Sequence, residues 1–389
     1  MNKNITEFVK YIGADDTDLD LFESQYIIPN GISYNSYVIL DEKIAVMDTI
    51  DQRKTDEWFD NLEKTLNGKT PDYLIVQHME PDHAANIGRF AEKYPNATIV
   101  ATAKAIQMMP QFFEDIDFAE RTIAVKEGEK LCLGKHTLNF IMAPMVHWPE
   151  VMLTYEESEK ILFSADAFGK FGALCHEEDW ACEARRYYFN IVGKYGVQVQ
   201  TLLKKASALD IATICPLHGP ILTENLGYYI GLYDTWSSYR PETEGVLVAY
   251  ASIHGNTAIA AKKIADILKE KGAQKVTITD LSRDDMAEAV EDAFRYGKMI
   301  VAASSYDAGL FPPMHDFLHH LKIKNFQNRR VGIIENGSWA PCAGRVMQDM
   351  FGQMKDITIV NPMVTIRSTM KEADLPKLEM LAEEILAEE

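Results

Sequence analysis

The chain predicts an α/β protein of two domains: a two-sheet sandwich with helices outside it, then a doubly wound five-stranded parallel sheet. Three observations carry this. Near residue 240 the rhythm changes, from many short apolar runs to strict strand–helix alternation. At that point lies the polar break "WSSYRPETEG", Trp236 to Gly245, with a Pro and a Gly, directly before the clean strand "VLVAYAS". Finally, His, Asp, Glu and Gly-containing motifs sit at the ends of apolar runs, where loops of α/β sheets gather ligands. The break gives domains of residues 1–243 and 244–389.

In the first domain "SYNSYVIL" and "KIAVMDTI" flank Asp41 and Glu42, which predicts a hairpin. "EWFDNLEKTLNG" reads as a helix ending at Gly68. Strands follow at "YLIV" (Tyr73 to Val76) and "ATIVAT", then a helix from about Lys104. Four further strands are expected at "KLCLG", "HTLNFIMAP", "VMLTYEES" and "KILFSADAF". A helical stretch from Cys182 to Ala208 leads to a strand in "IATICPLHGP". In the second domain strands are expected at 246–251, 275–280, 298–304, 330–335 and 357–366. Helices follow them at about 257–271, 284–295, 313–321, 343–354 and 371–388, which makes the sheet parallel and doubly wound.

Bulk composition narrows the function. With 389 residues and 47% hydrophobic content the chain can bury two proper cores. A net charge of −19 excludes nucleic acid, whose phosphates need basic patches. No run approaches the ~20 apolar residues of a membrane span. The opening "MNKNITEFVKYIGADD" has no apolar signal segment, so a cytoplasmic protein is expected. The five cysteines (Cys132, Cys175, Cys182, Cys215, Cys342) form no CxxC pair. That suits a reducing compartment and leaves no fused rubredoxin-like or iron–sulfur module.

The densest chemistry is "VQHMEPDHAAN", residues 76 to 86. His78, Glu80, Asp82 and His83 follow an apolar strand, and Pro81 enforces a turn among them. His78 and Glu80 share one side, while Asp82 and His83 can reach a second ion. Three more candidates end apolar runs: His147 after "FIMAPMV", Asp166 after "ILFSA" and His218 after "IATICPL". A single histidine after a strand is ordinarily structural. Four of the ten in the chain at such ends, with this local density of carboxylates, point to a binuclear metal site.

"HMEPDH", "APMVHWPE", "FSADAFG" and "PLHGP" resemble the metal motifs of the metallo-β-lactamase superfamily. The usual zinc motif there is HxHxDH, and here Glu80 replaces the second His. This is similar to the pattern of the flavodiiron proteins, in which iron takes the harder oxygen ligand. The resemblance implies an αββα sandwich and a role for each residue. His78, Glu80 and His147 would hold one iron, Asp82, His83 and His218 the other, and Asp166 would bridge them.

The second domain opens with "AYASIHGNTAIAAKKIADIL". The loop Ser252, Ile253, His254, Gly255, Asn256, Thr257 joins strand to helix, and its N–H groups and hydroxyls can wrap a phosphate at the helix N-terminus. It resembles the flavodoxin phosphate loop [ST]xTGNT, with His254 at a position where Thr is typical. The next two strand ends supply Ser304, Ser305, Tyr306, Asp307 and Gly309, then Asn336, Gly337, Ser338 and Trp339. These can line a flavin ring from two sides, with Tyr306 or Trp339 stacking on it. No GxxxxGK[ST] is present, and phosphate held without a charged Lys fits FMN.

Electron counting then selects a reaction. Two ferrous ions and one reduced flavin hold four electrons, enough to take O2 to two waters; two electrons couple two NO into N2O. The expected function is therefore reduction of O2, NO or both. No NAD-binding fingerprint is visible, so the donor is external, and the resemblance implies rubredoxin or a reduced deazaflavin coenzyme. It also implies a head-to-tail homodimer or a dimer of such dimers, since flavin and iron sites on domains in series need not meet within one chain. The basic segment Lys322, Lys324, Arg329, Arg330 is either a donor-docking patch or plain solvated surface. Tyr34, Tyr37, Trp148, Tyr187 and Tyr188 either line the metal site or pack the core. Asp48 either backs the site or caps a turn, and His315 and His319 read as a solvated helix face. The rival readings are a binuclear zinc hydrolase fused to a flavodoxin domain, and an electron carrier with a vestigial metal site.

Overall fold

A computed structural model describes residues 4–118 and 120–387, which form two compact units. One spans 1–188 and 197–234; the other spans 189–196 and 235–389. The short segment Phe189–Gly196 thus joins the second unit, which no feature of its composition signals.

The first unit holds a six-stranded sheet in the order Val9–Tyr11, Tyr37–Ile39, Ala45–Met47, Tyr73–Val76, Thr98–Thr102, Thr122–Val125. Its hairpin pairs Tyr37 with Met47 and Ile39 with Ala45 around the turn at Asp41 and Glu42. A second sheet runs Lys130–Cys132, Thr137–Met142, Met152–Glu156, Ile161–Phe163, Thr213–Cys215. Tyr37, Met47, Ile75 and Val100 of one sheet meet Leu138, Phe140, Met152 and Phe163 of the other in one buried cluster. The first sheet's outer face needs its own cover, because Leu74, Ile75 and Val76 are all buried in succession. The helix Thr55–Leu66 buries Trp58, Phe59 and Leu62, and the helix Ile87–Lys93 buries Ile87 and Phe90. The former stops where Asn67 (φ 48°) and Gly68 (φ 83°) turn left-handed.

The second unit has the strand order Val276–Asp280, Thr243–Ala251, Tyr296–Tyr306, Gln327–Asn336, Lys355–Ile359, all parallel. This is the doubly wound order 2-1-3-4-5. The fifth strand, expected to run unbroken over 357–366, is interrupted at Asn361-Pro362 and resumes at Val364–Ile366. Proline offers no N–H to the ladder. On one face the helices Asn256–Glu270 and Leu375–Leu386 bury Ala261, Ile264, Leu268, Leu378 and Leu381 against Val248, Ile300 and Ile334.

Two sequence expectations need correction. The helix Leu226–Ser237 runs into the polar break, held by the buried Tyr233 and Trp236. The basic segment is not a continuous surface patch. Arg329 is buried and donates to the carbonyl oxygens of Tyr239 (2.7 Å), Asn328 (2.9 Å), Gln327 (3.0 Å) and Phe294. Lys324 is buried as well and donates to the Asn190 carbonyl. A guanidinium removed from water needs such acceptors, and these replace any role in docking. Among the described residues no helix is long and apolar enough to cross a membrane.

Candidate metal centre and cofactor cleft

All seven residues expected to bind metal converge at strand ends of the first unit. Pro81 opens the short helix Pro81–Ala84, with Glu80 still extended (ψ 137°) before it. The chain therefore turns between Glu80 and Asp82 and sends them to different groups. Ligand atoms of His78, Glu80, His147 and Asp166 lie within 4.8 Å of one another, as do those of Asp82, His83 and His218. Asp166 faces both. Its Oδ2 is 3.2 Å from His147 Nε2 and 3.3 Å from His78 Nε2, while its Oδ1 is 3.1 Å from His83 Nε2 and 3.8 Å from His218 Nε2. Glu80 Oε2 lies 3.0 Å from His147 Nε2 and 3.2 Å from His78 Nε2. Asp82 Oδ2 lies 3.2 Å from His218 Nε2 and 3.4 Å from His83 Nε2.

These atoms suit cations. Both oxygens of Asp82, Oδ1 of Asp166, both nitrogens of His83 and Nε2 of His218 are buried with no hydrogen-bond partner. Buried polar atoms without partners are costly, and two positive ions among them would satisfy the set. Charge balance agrees. Burial opposes protonation of His147, yet hydrogen bonds to Asp166 and Glu80 lift it to about 9. Burial likewise pushes the Asp166 carboxyl up, but His83 and His78 hold it well below the usual range. The carboxylates thus draw positive charge to the cluster.

Further residues hold the ligands in place. Glu150 Oε1 accepts from His78 Nδ1 at 2.9 Å and from the Met79 N–H at 2.8 Å. That leaves Nε2 of His78 free to coordinate. Asp48 accepts from the Gln77 N–H at 2.7 Å and Gln77 Nε2 at 2.8 Å, and burial pushes its carboxyl up to about 6. Asp48 therefore backs the strand end that carries His78. Glu150 was visible within "APMVHWPE" but carries no spacing signal of its own.

Of the five aromatic candidates, three stand against the cluster. Tyr34 and Tyr187 lie 6.0 and 5.6 Å from the His218 ring, and Trp148 lies 5.4 Å from His78. The other two do not: Tyr37 packs on Phe163 at 5.4 Å and Tyr188 on Tyr233 at 5.1 Å. Phe22, unsuspected from sequence, crosses His218 edge-on at 5.5 Å. Glu23, in the turn between the paired strands Leu21–Phe22 and Tyr26–Ile27, stands exposed as a residue. Its carboxyl is nevertheless raised to about 7, by desolvation first and by Glu80 second.

In the second unit a cleft of about 660 Å³ opens at the carboxyl ends of the parallel strands. Ser252, His254, Asn256, Thr257, Ser304, Ser305, Tyr306, Asp307, Asn336, Gly337, Ser338 and Trp339 all line it, as expected from sequence. Gly255 and Gly309 do not. Gly255 (φ 89°) instead starts the helix, and Gly309 pairs with Tyr306 across a tight hairpin. Ser305 lines the cleft, but its Oγ accepts the N–H groups of Cys342 and Ala343 at 2.9 and 3.1 Å. Cys342 and Ser368 are additions the sequence did not offer. The cleft suits a flavin phosphate ester: its lining combines hydroxyls and a helix N-terminus with Trp339, 89% exposed. His315 and His319 stand exposed on their helix, and among the described residues neither joins a group of three metal-ligating side chains.

Known proteins share this arrangement. Residues 32–219 match the family model described as ODP family beta lactamase. An uncharacterised protein of Methanocaldococcus jannaschii is 31% identical, over 95% of this chain and 94% of its own. A nitric oxide reductase of Moorella thermoacetica is 29% identical over 98% of both. Among solved structures, the rubredoxin oxygen:oxidoreductase of Desulfovibrio gigas superposes with a TM-score of 0.91 at 25% identity, over 98% of this chain and 97% of that one. A flavo di-iron protein of Thermotoga maritima gives 0.87 at 25% identity, over 97% and 95%. The chain belongs to the flavodiiron protein family. As a flavodiiron protein it is an oxidoreductase, built on the β-lactamase-like and doubly wound folds expected from its sequence.

Proposed function

We propose that this flavodiiron protein reduces O2 to water, NO to N2O, or both, with electrons from an external donor. His78, Glu80 and His147 would hold one iron, Asp82, His83 and His218 the other, with Asp166 between them. FMN would occupy the cleft of the second unit. The observation that carries the reading is Asp166, whose Oδ2 faces His147 and His78 while its Oδ1 faces His83, in a group whose own ligand atoms have no partner. When bound, a diferrous pair supplies two electrons and reduced FMN two more, the four that O2 needs to become two waters.

The chain's own residues set access and proton supply. The Tyr187 hydroxyl is held protonated, by burial first and then by Asp166, Glu80 and Asp82, so it would offer an O–H hydrogen bond beside His218. Tyr34 is raised for the same first reason. Trp148 and Phe22 cover the imidazoles of His78 and His218 and limit water. The names of the relatives support both oxidants: one is called a nitric oxide reductase, another a rubredoxin oxygen:oxidoreductase. By the same likeness rubredoxin is the favoured donor, with a reduced deazaflavin coenzyme as the alternative. A head-to-tail homodimer would let the flavin of one subunit serve the diiron centre of the next.

The test is a titration of the fully reduced protein. Four electrons per O2, with no peroxide released, are expected. Peroxide as the main product, or a reduced protein inert to both O2 and NO, would contradict the reading.

A further inference from the structure

His218 is held by a segment 185 residues earlier in the chain. Its Nδ1–H donates to the Ser33 carbonyl at 2.7 Å, which fixes the tautomer and turns Nε2 toward Asp82. Ser33 Oγ accepts the N–H of Gly219 at 2.7 Å. Asn35 does more. Its Nδ2 donates to the carbonyls of both Pro216 and Gly219 at 2.8 Å, and its own N–H donates to the Leu217 carbonyl at 2.8 Å. The Tyr37 hydroxyl adds a third donor, to Pro216 O at 2.6 Å. Tyr11 OH donates to Asn35 Oδ1 at 3.1 Å and sets which way the amide points.

Every member of this set is buried: Ser33, Asn35 and His218 have no exposure at all. The loop they grip follows the strand Thr213–Cys215, and Gly219 within it takes φ 81°. Both Asn35 amide hydrogens are used on that loop. By contrast, His83 Nδ1 has no partner, and His78 is braced separately by Glu150. The Glu150 brace and the Asn35 brace thus share no residue, although the Leu217 N–H also donates to the Ala165 carbonyl at 2.9 Å, beside the shared Asp166.

We infer that Asn35 is a positioning residue for one ion only, the one held by Asp82, His83 and His218. The inference rests on the diiron reading above. Replacing Asn35 with Asp keeps the volume but removes at least one of the two donations, and both when the carboxyl is ionised, leaving oxygen facing carbonyl oxygen. His218 would lose its aim, while His78, Glu80 and His147 would keep theirs. Loss of a residue that orients a metal ligand typically weakens the metal about 10–100-fold.

The experiment is an anaerobic titration of metal-stripped, FMN-loaded protein with Co(II) alone, followed by its visible d–d bands. The wild-type chain is expected to take two ions. Asn35→Asp is expected to keep one at wild-type affinity, with the second at least tenfold weaker, and to retain FMN. Two ions of unchanged affinity would overturn the inference, and so would equal weakening of both in a chain that still binds FMN. If Asn35→Asp does not fold, Tyr37→Phe removes a single donor to the same loop. A smaller weakening confined to one ion is then expected, and no change or an equal change in both overturns the inference. A wild-type chain that binds no pair of ions overturns the diiron reading and the inference with it.

Discussion

At Glu80 one side-chain atom bears on the choice of metal. Its Oε2 lies 3.0 and 3.2 Å from the nitrogens of His147 and His78, where an imidazole would make the group purely nitrogenous apart from Asp166. Softer donors favour zinc over iron. Glu80→His is therefore expected to raise zinc relative to iron several-fold when the stripped protein is loaded from an equimolar mixture. An unchanged ratio by elemental analysis would count against the assignment. Trp339 offers a second test. At 89% exposure it contributes little to folding, so Trp339→Ala should leave unfolding within about 0.5 kcal/mol of wild type. Lost stacking of about 0.5–1.5 kcal/mol should weaken FMN roughly two- to tenfold, measured by flavin fluorescence. At this scale the sequence revealed the ligands well, because His, Asp and Glu at strand ends stand out from apolar runs. It hid Ser33, Asn35 and Glu150, whose bonds reach 185, 184 and 72 residues along the chain and leave no periodicity to read.

Elements are fastened by polar contacts that the hydrophobic pattern does not carry. Asp16, buried in the strand Ala14–Asp16, accepts from Arg53 Nε at 2.5 Å and from the Asp18 N–H at 3.1 Å. Burial pushes its carboxyl up, but these bonds prevail and hold it below its ordinary value. A depressed carboxylate contributes stability that is complete above its unfolded pKa of about 3.9 and is lost as pH falls through the folded value. Asp16→Asn should therefore cost stability at pH 7, with the gap narrowing below about pH 4. Urea midpoints of metal-free protein across that range check this; a gap constant with pH would contradict it. Arg329→Met strands four carbonyl groups at once and should cost about 3 kcal/mol or more, lowering the melting temperature of the second unit. Strands and helices of that unit were legible because Val246–Ala251 is a continuous apolar run, as a strand buried on both faces requires, and the helices are amphipathic. The helix Leu226–Ser237 was not. Tyr233 and Trp236 are ordered by what they touch: the Phe168 N–H meets the Tyr233 hydroxyl and the Trp236 indole donates to Glu242.

The whole molecule combines two cofactor sites in one chain. The metal cluster of the first unit has unpartnered acceptors for cations, and the cleft of the second offers hydroxyls, a helix N-terminus and an exposed indole. Hydrolysis needs no flavin and an electron carrier needs no dinuclear site, so their coexistence favours multi-electron reduction. The most direct measurement is iron, zinc and FMN per chain after expression with supplemented iron. About two irons and one FMN are predicted from the mixed oxygen and nitrogen ligands and the cleft's polar lining. About two zincs with no reduction of O2 or NO, or FMN with no metal, would contradict the account.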